Sequence, residues 1–180
     1  MRSINCKALA LLGALFLTGA AVPAPADDAC LDFKWDVGKE RALFAGPPAE
    51  LTAGKDSTSA PALAVGRLYA LRLAAQDQVA FAAVPGKKAP VAGAYAGLAT
   101  LKIQAAGSYR IAIDLPLWID VVSNGALLAP KDFEGQHGCS APRKIVEFDL
   151  AGAQAYLLQF SNAEKDAVRL TVTQSPARKL

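Results

Sequence analysis

His137 is the one histidine of the chain, so base-assisted chemistry near neutral pH would have to begin there. Ser140 follows three residues later, and Asp132 and Glu134 stand just before it. A hydrolase with His137 as general base is therefore one reading. Its spacing is poor. No G-x-S-x-G turn presents a serine, and a serine three residues from its base on the same loop rarely reaches triad geometry. A histidine between Gln136 and Gly138, beside a cysteine, reads more simply as a loop residue.

Counting also limits metal chemistry. Catalytic zinc and facial-triad iron need two or three nitrogen or sulfur ligands, and the sole methionine is Met1. No metal and no cofactor are expected. Asp132 and Glu134 leave room for weak calcium binding at most, because calcium takes about six or more oxygen ligands. Two carboxylate pairs remain, Asp114 with Asp120 and Glu147 with Asp149. Glycosidase carboxylates stand roughly 5–10 Å apart across a cleft. Residues two apart on one strand face meet that distance trivially, so solvated charge is the expectation. No glycine-rich phosphate loop is present, and the basic residues are scattered rather than interleaved with aromatics, which argues against a nucleic-acid partner.

Two constellations survive. Cys30 and Cys139 lack C-x-x-C spacing, and in an exported chain such a pair is expected to form a structural disulfide. Trp118 and Asp120 fall on one face of a strand whose other face carries Leu117, Ile119 and Val121. If the apolar set packs the core, an aromatic ring beside an acid is left outside, an arrangement suited to holding a sugar. The competing reading buries Trp118 under a loop, with residues 46–61 the candidate cover.

These residues need a scaffold and a compartment. Residues 1–26 have the layout of a secretory signal peptide: Arg2 and Lys7, an apolar run over 8–21, then Ala24-Pro25-Ala26. The apolar run falls short of the roughly 20 residues needed to span a bilayer. Of 19 Lys and Arg, two would leave with the signal and none of the 16 acids would. The remainder is close to neutral, without long-range pull toward polyanions. Residues 27–180 then form one domain, periplasmic or secreted, with no transmembrane segment.

That domain reads as strands. Period-2 alternation marks residues 31–37, 67–73 and 79–84, the last closing in a type II turn at Pro85-Gly86. Three strands in a row fill 98–128, with Asn124-Gly125 a strong hairpin signal. Three more lie over 146–150, 156–160 and 168–172. Residues 39–44 are a short strand or a helical turn, 46–62 a long surface loop, 129–142 a second loop, and 175–180 a frayed tail. The expected fold is all-β: one antiparallel β-sandwich, jelly-roll-like, of about eight or nine strands, each sheet with one wet face.

Cys30-x-x-Phe33-x-Trp35-Asp36-Val37, Glu40-Arg41-Ala42-Leu43-Phe44, Gly107-Ser108-Tyr109-Arg110 and Leu117-Trp118-Ile119-Asp120 resemble a family of small exported proteobacterial proteins of unknown function. Some members are labelled homogentisate 1,2-dioxygenase. That iron site takes two histidines and a glutamate, and one histidine cannot supply it. The rhythm of residues 106–113 and 156–161 also resembles the bacterial pre-peptidase C-terminal type of sandwich. That resemblance implies an accessory module that binds or solubilises. The expected function is a non-catalytic module for a cell-envelope glycan or a protein partner; the alternatives are the His137 hydrolase and an envelope structural or assembly factor.

Overall fold

The computed structural model describes residues 28–87 and 89–176. The signal-peptide expectation and the end of the tail lie outside those residues. The described chain is a sandwich of two sheets. The first contains β1 (Ala49–Thr52), β3 (Leu68–Arg72), β12 (Ala167–Gln174), β6 (Gly107–Ile113), β10 (Lys144–Leu150) and β9 (Asp132–Gly135), in that order across the sheet. The second runs β2 (Ala62–Leu63), β5 (Tyr95–Ile103), β11 (Gln154–Ala163), β7 (Trp118–Ser123) and β8 (Ala126–Leu128), with β4 (Ala74–Ala75) also on β5. Pairing is antiparallel except β1 on β3 and β2 on β5, which are parallel. Among the described residues no helix is long and apolar enough to cross a membrane.

Alternation explains the core. Leu101 and Ile103, Ile111 and Ile113, Ile119 and Val121, Phe148, Leu158 and Phe160, and Leu170 and Val172 form one cluster between the sheets. The Asn124-Gly125 hairpin forms as expected, with φ of 50° and 76°. Both central residues are left-handed, which matches the twist of the flanking strands.

The outer faces depart from expectation. They are not simply wet. Residues 30–44 lie across the first sheet as a strap instead of forming a strand over 31–37. A 3-10 turn at Asp28–Leu31 and a short helix α1 (Gly38–Phe44) are its regular parts. Only Phe33 and Val37 of the predicted inner set are buried, while Leu31 is exposed. The strap's Phe33, Val37 and Phe44 pack on Leu68, Ala112 and Ile145 in a second apolar cluster. Cys30 and Cys139 are joined as expected, closing a span of 109 residues. The bond ties the start of the strap to the loop after β9, and this tether replaces strand pairing as what holds the segment.

Residues 79–94 play the same part on the second sheet. They form no strand at 79–84, because polar side chains of β7 and β11 capture their backbone. Gln159 Oε1 accepts from Ala82 N at 2.7 Å and Ala83 N at 2.9 Å. Asn162 Oδ1 accepts from Val91 N at 2.9 Å. Gly86 is absent from the positive-φ glycines, so the type II turn at Pro85-Gly86 does not form. Two predicted loops also hold edge strands: β1 falls within 46–62 and β2 begins at its end, and β9 falls within 129–142. Short strands without a strong apolar rhythm leave little signal, which is why the described residues hold 12 strands where eight or nine were expected.

Candidate functional site

Trp118 and Asp120 lie on the outer face of β7, opposite Ser161 and Gln159 of β11. Pro116 and the inward Leu117 bring the chain into β7 at that point. β8 pairs with β7 only from Val121 onward, so the first half of β7 is a free margin. Trp118 is 38% exposed and Asp120 7%. The predicted pair is brought together, and more tightly than alternation alone implies. Trp118 Nε1 donates to Asp120 Oδ1 at 2.9 Å, and Gly86 N donates to Asp120 Oδ2 at 3.0 Å. Asp120 is therefore a bracket for the indole and the covering loop, with each oxygen already accepting a hydrogen bond.

Gly86 is required for close approach rather than for its φ. A Cβ there would stand 2.9 Å from Asp120 Oδ1 and 3.1 Å from Trp118 Nε1. The loop covering this end is 79–94. Residues 46–61 instead pair β1 with β3 and bridge Gly54 to Leu98.

Lys144, the first residue of β10 in the other sheet, completes the site. Its Nζ stands 5.3 Å from the Trp118 ring centre and donates to Leu117 O at 2.9 Å. Burial lowers the Lys144 pKa from its ordinary value, and the charge of Lys87 lowers it further; Asp120 opposes both. Trp118, Lys87, Lys144, Pro116, Val91 and Asn162 line a cavity of about 370 Å³. Sequence reasoning missed Lys144 because nothing in a linear pattern announces which residue of the facing sheet will reach across.

The other candidates separate. His137 is exposed in the turn between Gln136 and Cys139, where Cys139 N donates to Gln136 O at 3.2 Å. No side-chain hydrogen bond links it to an acid or hydroxyl among the described residues. Glu134 accepts from Lys34 N and Gln136 Nε2, and Asp132 binds Lys34 Nζ. Among the described residues no group of three or more His, Cys, Asp or Glu gathers as a metal site. Glu147, expected in solvent, is instead buried and paired with Arg110 at 3.0 Å. Asp149 does stay exposed; hydrogen bonds from Ser108 and Lys131 hold its carboxyl below the usual range.

Around that ion pair lies a second polar hollow of about 600 Å³, walled by Trp35, Ser108, Lys131 and Ser175. Its groups are occupied with one another. Glu147 Oε2 accepts from Arg110 Nε and Ser175 Oγ, Lys131 Nζ donates to Ser108 and Asp149, and Arg110 Nη1 donates to Asp36 O. Lys34 and Arg110 each stand 4.8 Å from the Trp35 ring centre. This hollow anchors the strap.

No protein-family model matches the chain, and no curated protein matches it. Among solved structures, a β-glucosidase from Kluyveromyces marxianus in complex with glucose aligns at TM-score 0.34 and 11% identity, over 47% of this chain and 10% of that one. A β-glucosidase from Paenibacillus barengoltzii aligns at TM-score 0.29 and 16% identity, over 69% of this chain and 13% of the other. The chain thus spans about a tenth of the length of these enzymes, and likenesses this weak carry no argument about function.

Proposed function

We propose that the protein is an exported, non-catalytic binding module whose ligand is a cell-envelope glycan lying against Trp118. The observation that carries this reading is a half-exposed indole with its N–H fixed by Asp120, standing at the mouth of a cavity with lysine and amide groups around it. Sugar rings stack apolar C–H faces on such surfaces and give their hydroxyls to the polar rim. Export is supported by the Cys30–Cys139 disulfide, which persists in oxidising compartments. Periplasmic or secreted localisation is part of the same proposal, as is an accessory role beside an envelope enzyme.

The test is tryptophan fluorescence with a panel of envelope polysaccharides, made in a Trp35→Phe background so that Trp118 alone reports. Quenching or a blue shift by one glycan class, abolished in Trp118→Ala, is the expected result. Silence across the panel rejects the reading. A second reading takes its support from Phe133, 64% exposed on the edge strand β9: a protein partner could add a strand there. It predicts capture of a specific periplasmic protein that Phe133→Asp prevents and Trp118→Ala does not.

A further inference from the structure

The cavity before Trp118 does not end at Val91. That residue also lines a neighbouring hollow of about 650 Å³, formed with Gln76, Val79, Phe81 and Tyr95. The boundary between them is held from below by Asn162. Its Oδ1 accepts from Val91 N at 2.9 Å and from Gln76 Nε2 at 3.3 Å, and its own N donates to Gln76 Oε1 at 2.7 Å. Asn162 sits at φ 56° where the β5–β11 register shifts, and that irregularity aims its side chain at the covering loop. One residue thus fixes the seam at which the two hollows meet. Their polar and aromatic groups differ along the length: Trp118 with two lysines at one end, Phe81 and Tyr95 with the carboxylate of Asp77 at the other.

Charge is uneven in the same direction. Asp120 is 7% exposed and accepts one hydrogen bond on each oxygen, from Trp118 and Gly86, so little of its carboxylate faces a ligand. Among the described residues Glu164 is the acid that lines the Trp118 cavity, and it is exposed. Lys144 is partly buried and has one donated hydrogen bond, to Leu117 O, out of three N–H groups. Lys87 lies close enough to disfavour its charge. An ammonium whose charge is disfavoured, beside an aromatic ring and with a second lysine on the same cavity wall, is relieved by an anion placed against it.

Building on the glycan reading, we propose that the two hollows are adjoining subsites of one cleft for a linear acidic polysaccharide, with a uronate carboxylate at Lys144 and Lys87 and the following units running past Val91 to Phe81 and Tyr95. The sugar carrying the carboxylate stacks on Trp118. The chain then crosses the Asn162 seam, where the apolar C–H face of a following sugar meets Phe81 and Tyr95 and its hydroxyls meet Gln76 and Asp77. Affinity should rise with chain length until both hollows are filled, and should weaken with salt because part of it is charge pairing.

Calorimetric titration of the full chain with oligogalacturonides and with neutral cello-oligosaccharides, each as dimer and hexamer, separates the elements. The expected result is that the acidic hexamer binds about tenfold or more tighter than both the acidic dimer and the neutral hexamer, the scale of one charge-assisted hydrogen bond. Lys144→Met should remove the acidic preference, and Phe81→Ala the advantage of length. Lys87→Ala changes an exposed side chain, so it keeps the charge test valid if Lys144→Met does not fold. Equal affinity for acidic and neutral hexamers at Trp118 overturns the acidic assignment while leaving the glycan reading in place. Equal affinity for dimer and hexamer overturns the joined cleft. No binding of any of the four overturns this inference; the fluorescence panel then decides the glycan reading separately.

Discussion

Two segments cover the two outer faces of this sandwich, and they are fastened by different forces. The strap of residues 30–44 is held by a disulfide, by Phe33, Val37 and Phe44 packed on Leu68, Ala112 and Ile145, and by Arg110 reaching Asp36. The loop of residues 79–94 buries almost nothing large: Val84 is 84% exposed and Val91 50%. Polar side chains of the sheet beneath hold it instead, Gln159, Asp120 and Asn162 each accepting from its backbone. Apolar packing needs contact over an area and leaves few gaps. Hydrogen bonds act at points, so hollows survive between them. The two cavities around Val91 lie on the margin of the polar cover, and the hollow beside the strap is walled by ion pairs. The two tryptophans differ in degree: Trp35 is partly buried with two cations on its ring, whereas Trp118 has one, Lys144, and is the more exposed.

The comparison fails if the strap does not depend on its tether. Replacing both Cys30 and Cys139 by serine should give the largest effect. Chain entropy assigns a loop of this length about 4–5 kcal/mol, and removal of a native disulfide typically costs about 2–5 kcal/mol. Urea denaturation of the double variant against the oxidised parent measures it. Amide exchange should rise across residues 30–44 far more than across 79–94. A loss under about 1 kcal/mol would mean that the apolar contacts hold the strap unaided.

How far these covers were legible differs for a physical reason. Alternation is a local property, so it placed Leu101, Ile111, Ile119 and Leu170 in the core and put Trp118 and Asp120 outside. What lies over an outer face is non-local. The run Leu31, Phe33, Trp35, Val37 alternates as a strand does, yet Phe33 and Val37 are satisfied by the back of a sheet formed far along the chain, and Leu31 stays exposed. Glu147 has the same outward parity as Asp149, but the strap covers the first and not the second. Ala82 and Ala83 carry no mark of a partner, because the information sits in Gln159. The Trp118–Asp120 pair was legible since both residues share one strand; Lys144, from the opposite sheet, was not.

A second prediction loosens the polar cover alone. Gln159 is fully buried and makes three hydrogen bonds to residues 82–83. Gln159→Leu keeps the volume and leaves two backbone N–H groups without their acceptor, at a cost of about 1–3 kcal/mol. Hydrogen exchange should quicken at residues 82–86 while the strap remains protected. Equal loosening of both segments would mean that the covers are one cooperative unit and that the distinction between them is wrong.

The smallest effect comes from Lys144, and it is read through pH. Its folded pKa lies below that of the unfolded chain, because burial and Lys87 disfavour the charge. Between those two values the unfolded state binds more protons, so stability contributed by this residue rises with pH across that window. Below the window the penalty of keeping the ammonium charged is present in full, and above the ordinary lysine value of 10.5 it is gone. Lys144→Met removes the titration and keeps an apolar stem over Trp118. The difference in urea midpoint between parent and variant should therefore shift in the parent's favour as pH rises through the window, with other groups cancelling. A difference independent of pH would show that Lys144 is solvated well enough to carry its charge without cost. The margin of the polar cover would then be wetter than the cavities around Val91 imply, and the anion-binding role of Lys144 would lose its electrostatic support.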